Sequence, residues 1–97
     1  MSAIEVQRQY ARLAILRGIS EQPDQRWNSV QLREDLELRS AINRPREWVN
    51  DELRWLAEMG AVALQEHASV LIAMLTQKGL DHLSGRIVIS GVARPAH

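Results

Sequence analysis

Apolar residues recur along this chain in two rhythms, and the change of rhythm divides it. From residue 3 to 20, Val6, Tyr10, Leu13 and Leu16 follow one another at three- and four-residue steps, with Ile19 near the end of the stripe. That spacing predicts an amphipathic helix over 3–20. Gln22-Pro23-Asp24 closes it, because proline cannot continue a helix and holds its predecessor extended. Asn28 or Ser29 is suited to cap a second helix through "VQLREDLELRS", with Val30, Leu32, Leu36 and Leu38 as its apolar members. Ala41-Ile42-Asn43 is a short connection in which Ile42 is expected to be buried, pinning the turn. A third helix begins around Arg44-Pro45, since proline in a first turn gives up an N–H that had no partner there. Val49, Leu53 and Leu56 form its core stripe, and Gly60 ends it in a left-handed conformation.

After Gly60 the rhythm shortens to two. "AVALQEHASVLIAMLT" reads as a β-hairpin: strand 61–66, a loop at His67-Ala68-Ser69, and strand 70–75. Thr76 can cap a short last helix, "QKGLDHLSG", whose Leu80 and Leu83 would face the core. Gly79 is expected to weaken that helix by roughly 1 kcal/mol relative to alanine. "RIVISGVARPAH" is either a free tail or a strand in want of a partner. The chain thus divides into one domain over 1–85 and a tail over 86–97. The order helix, helix, helix, hairpin, helix predicts an α+β, mostly helical fold. Its type is the winged helix-turn-helix, with the hairpin as wing.

Composition narrows the functional classes. Ninety-seven residues make one small domain, and 45% apolar residues make it a globular one. No cysteine is present, which excludes disulfides, thiolate metal sites and cysteine nucleophiles and fits a reducing cytoplasm. The longest apolar run, "VLIAML", is far short of the ~18 residues of a membrane span. Glu5, Arg8 and Arg12 interrupt any signal core. A cytoplasmic protein without a membrane partner is expected. His67, His82 and His97 share no metal-ligand spacing, and there is no phosphate loop or nucleophile motif. No enzyme activity, cofactor or metal is therefore expected.

The third helix carries the chemistry that remains. Arg46, Asn50 and Arg54 form a stripe four residues apart, with Arg44 just before it. In a helix-turn-helix protein such residues meet base edges and phosphates: arginine grips guanine, and asparagine grips adenine, by paired hydrogen bonds. Arg44, Arg46, Asn50 and Arg54 are the expected DNA-contact set. Trp48, Trp55 and Met59 form another stripe, the expected protein interface if they are exposed. Trp27 is read as a plug over the start of the second helix. Charge opposes DNA binding. The chain has 12 basic and 12 acidic residues, and the third helix sets Glu47, Asp51, Glu52 and Glu58 against three arginines. Glu47 and Asp51 are spaced to pair with Arg54 and Arg46. The hairpin loop has no arginine or lysine. Further phosphate contacts would have to come from Arg8, Arg12, Arg17, Arg26, Arg33 and Arg39.

The stretches "LRWLAEMGAVAL" and "VLIAMLTQKGLDHLSGRIVISGVARP", above all Thr76, Gly79-Leu80-Asp81, Gly85, Gly91-Val92 and Arg94-Pro95, resemble a group of small winged-helix proteins of Mu-like phages and prophages. These are loosely labelled as similar to ArsR-type regulators. The resemblance implies a phage-encoded cytoplasmic winged helix and a homodimer that binds duplex DNA. It implies no metal sensing, since no cysteine is present. Two readings follow: a transcriptional regulator that reads DNA with helix 44–59, or a winged-helix module that contacts a phage or host protein without DNA.

Overall fold

The computed structural model describes residues 2–95, about half of them helical. Helix α1 (Ala3–Ser20) starts where Ser2 accepts the Glu5 N–H at 3.2 Å. It buries Ala11, Leu13, Ile15, Leu16 and Ile19. Two members of the expected stripe lie outside: Val6 is 39% and Tyr10 60% exposed. Residues 2–6 are exposed all round, so the first turn and a half has no body to face.

A strand that local pattern did not predict follows. Strand β1 (Arg26–Asn28) pairs with β3 through Arg26↔Met74, Trp27↔Ala73 and Asn28↔Ile72. Trp27, expected as a helix plug, is thus a sheet residue. Its ring packs against the core, and a Cβ on Gly18 would stand 3.1 Å from it. Helix α2 (Ser29–Ser40) takes its cap from Asn28, whose Oδ1 accepts the Gln31 N–H at 2.9 Å. It buries Leu32 and Leu36, while Val30 is exposed and Leu38 is 83% exposed. Ala41 turns the chain in a left-handed conformation, φ 54°, and the Ile42 N–H reaches back to the Leu36 carbonyl at 3.0 Å. This is a helix-ending turn sealed by an apolar residue. Ile42 is buried, as its sequence context predicts.

Helix α3 (Arg46–Glu58) starts one residue after Pro45, which stands at the cap and not within the first turn. Pro45 offers no side-chain acceptor, whereas α1, α2 and α4 each have one. Val49, Leu53 and Leu56 are completely buried, and Gly60 ends the segment at φ +81°. Strands β2 (Val62–His67) and β3 (Val70–Leu75) form the expected hairpin with a two-residue turn, Ala68-Ser69. The sheet is antiparallel in the order β1-β3-β2. Leu71, Ala73 and Leu75 face inward. Helix α4 (Gln77–Leu83) is capped by Thr76, which accepts the Gly79 N–H at 3.2 Å. Leu80 and Leu83 are half-buried against the core.

Beyond Gly85 the chain is neither a free tail nor a strand. Ile89 and Val92 are buried in the same apolar cluster as α1, α2, α3 and the sheet. Three polar ties hold this segment down. The Ala93 N–H donates to the Gln9 carbonyl at 3.1 Å, and the Ile89 N–H donates to His82 Nδ1 at 3.1 Å. His82 Nε2 lies 2.9 Å from the Ala93 carbonyl. With Nδ1 accepting, the ring proton sits on Nε2 and donates to Ala93. His82, a histidine with no partner legible in the sequence, is fully buried as the bridge between α4 and this segment. No helix among the described residues is long and apolar enough to cross a membrane.

Candidate functional site

The turn between α2 and α3 sets the first turns of the two helices side by side. Val30, Arg33, Glu34, Pro45, Arg46 and Glu47 line an open groove of about 450 Å³ there. Arg46 is exposed and has no hydrogen-bond or ion-pair partner among the described residues. Arg33 is tethered 3.5 Å from Glu37 and 3.5 Å from Asn43 Oδ1. Arg54, two turns further along α3, is exposed, with a 3.5 Å contact to Asp51. That pair is open to water and screened by salt, so it leaves Arg54 available.

The other expected DNA-contact residues are placed differently. Arg44 donates from Nε and Nη2 to Gln7 Oε1 at 2.9 and 2.8 Å, and its guanidinium lies 5.5 Å from the Trp48 ring. It is half-buried against α1. Asn50 is only 9% exposed and its Oδ1 has no protein partner. An asparagine so placed does not project with Arg46 and Arg54. The four-residue spacing put the three on one stripe, but neighbouring elements cover the stripe's middle.

The aromatic stripe is also divided. Trp48, Trp55 and Met59 are half-buried and packed against the core. Trp55 is in use: the Arg12 guanidinium lies 3.8 Å from its ring centroid. Arg12 and Glu52, both read from sequence as surface charges, are buried together. Arg12 Nε donates to Glu52 Oε1 at 2.6 Å and Nη1 to the Gly91 carbonyl at 2.9 Å. Arg8 Nε stands 3.8 Å from the other Glu52 oxygen. Arg12 is therefore withdrawn from any phosphate contact. Arg39 is engaged as well, reaching Glu21 at 2.5 Å and Asp35 at 2.7 Å. The hydrogen bond from Arg39 holds the Glu21 carboxyl below its ordinary value, and Glu21, then Asp35, raise Arg39.

Comparison with protein-family models, curated proteins and solved structures finds no match. The site must therefore be read from its own geometry. It offers two accessible guanidiniums on α3, a third beside the first in the groove, and carboxylates Glu34, Glu47 and Asp51 among them. Such a surface can engage phosphate oxygens through the arginines, and the carboxylates weaken that attraction. One warning was legible in the sequence. Arg12 stands between Ala11 and Leu13 in a run that is otherwise apolar on its buried side, a position where a charge needs a partner. Nothing local identified that partner as Glu52, forty residues away.

Proposed function

We propose that this chain is a winged-helix protein that binds duplex DNA with α3, acting as a homodimeric regulator of the Mu-like phage type that its C-terminal motifs resemble. The arrangement of elements supports the fold reading: α1, a short strand, α2, a tight turn, α3 and a hairpin that completes the sheet. The observation that carries the function is the exposure of Arg46 and Arg54 on α3, with Arg33 beside Arg46 at the groove. Arg46, Arg54 and Arg33 are the proposed contacts, and Arg44 joins them if it exchanges Gln7 for phosphate. Asn50 is not among them. The carboxylates on α3 predict modest generic affinity, so specificity would depend on few base contacts and on duplex shape. The half-buried state of the tryptophans, with Trp55 engaged by Arg12, takes apolar surface away from the competing protein-interface reading.

Titration into a labelled generic duplex, read by anisotropy across a salt series, tests this. Micromolar binding that weakens steeply with salt is expected. Arg46→Ala combined with Arg54→Ala should lower affinity at least about tenfold and flatten the salt slope by about one to two phosphate contacts. Absence of binding at low salt, or a double variant indistinguishable from the parent, sinks the assignment of α3.

A further inference from the structure

The segment 86–95 closes over the inner side of α3, and the two meet at Arg12. Three groups from two parts of the chain meet that guanidinium. Glu52 of α3 accepts from Nε, Trp55 of α3 stacks on its plane, and the Gly91 carbonyl accepts from Nη1. Arg12 and Glu52 are 7% and 5% exposed. A charge pair withdrawn from water holds only if its remaining donors are satisfied and water stays out. The Gly91 carbonyl supplies the acceptor, and the segment carrying it covers the pair.

The contact admits no side chain at Gly91. A Cβ there would lie 2.7 and 2.8 Å from Trp55 Cζ2 and Cη2 and 3.3 Å from Arg12 Nη1. The backbone at this residue is also left-handed, φ +96°. The flanking ties are polar: His82 to Ile89 and Ala93, and Gln9 to Ala93. Beside them only Ile89 and Val92 are fully inserted, whereas Ile87 and Val88 are exposed. The segment is therefore anchored at a few points and not along its length.

We infer that residues 86–95 are a latch on α3: docking Gly91 against Trp55 completes the Arg12–Glu52 contact, and undocking loosens the hold of α1 on the Glu52–Leu56 part of α3. When the latch opens, water reaches the pair, and it becomes one more screened ion pair of little holding strength. Trp55 then loses the backbone that covers its ring edge. The coupling of latch to helix does not depend on what α3 binds. Its consequence for DNA rests on the reading above: the core stripe Val49, Leu53 and Leu56 keeps α3 in the fold, and the docked latch adds rigidity to the helix that bears Arg46 and Arg54.

Amide hydrogen exchange on the full-length protein tests the coupling without DNA. In Gly91→Ala, exchange at Ile89, Val92 and Ala93 should quicken by about tenfold or more, the scale of a left-handed alanine with a steric clash. Exchange in α3 around Glu52–Leu56 should quicken with it, while α2 is unchanged. Arg12→Lys keeps a charge for Glu52 but cannot also stack on Trp55 and reach Gly91. It should produce the same pattern, and it supplies the test if Gly91→Ala does not fold. Faster exchange confined to 86–95, or spread equally over every helix, overturns the latch. Duplex titration of the same variants separates the two proposals. Wild-type binding that is lost on unlatching supports both, whereas no wild-type binding with coupled exchange leaves the latch standing and removes the DNA reading.

Discussion

Gly79 illustrates how single positions reverse their sequence meaning. In a helix of seven residues it reads as a weak point, and alanine there should gain roughly 1 kcal/mol. In the fold, a Cβ at Gly79 would run into the Ala61 carbonyl oxygen and stand 2.7 Å from Leu75 Cδ1. The first obstacle is backbone and cannot swing away. Gly79→Ala should therefore destabilise the protein by about 1–3 kcal/mol in chemical denaturation, the usual range for overpacking. A stabilised variant would show that α4 shifts freely on the hairpin. Arg12, Glu52 and His82 teach the same lesson with polarity. Each is a residue type that usually lies at the surface, and each is buried because a partner outside its own element supplies its hydrogen bond.

Among the elements, α1, α2, α3, the hairpin and α4 were legible because each carries its own period or its own stop signal. Strand β1 was not. Three residues, Arg-Trp-Asn, are too short to display alternation, and they become a strand only because β3 offers an edge. Asn28 then serves two elements, ending β1 by its backbone and capping α2 by its side chain. Asn28→Ala should lower stability by about 1 kcal/mol, the usual worth of a lost cap, with the sheet intact by amide exchange. A variant as stable as the parent would mean that water caps α2 equally well. The helix stripes were legible in period but not in phase at their ends. Tyr10 and Leu38 have the right spacing, yet no neighbouring element reaches them.

For the molecule as a whole, part of the surface charge is tied up in ion pairs between elements. The Glu21–Arg39–Asp35 group ties the end of α1 to α2 and takes one arginine out of service. Because the hydrogen bond from Arg39 holds the Glu21 carboxyl below its ordinary value, the folded state favours its charged form. That contribution is complete above the ordinary carboxylate range and is lost as pH falls through and below it. Wild type should therefore exceed Glu21→Gln in melting temperature at pH 7, by an amount worth less than about 1 kcal/mol, since the pair is open to solvent. The margin should shrink as pH falls through and below the ordinary carboxylate range, and in high salt. A margin that persists in acid would mean that the glutamate acts through packing and not charge.

The sequence by itself determined the helices, the side-chain caps of α2 and α4, the existence of the hairpin and the turn sealed by Ile42. These rest on local spacing and on backbone rules that act within a few residues. It also located Arg46 and Arg54 on one side of α3. Only the tertiary structure decided that Asn50 is withdrawn from between them and that β1 exists. It alone decided too that Arg12 faces Glu52, and that the C-terminal segment seals the back of α3 in place of hanging free. Each of those outcomes depends on which distant surface arrives to exclude water, and no local pattern records that.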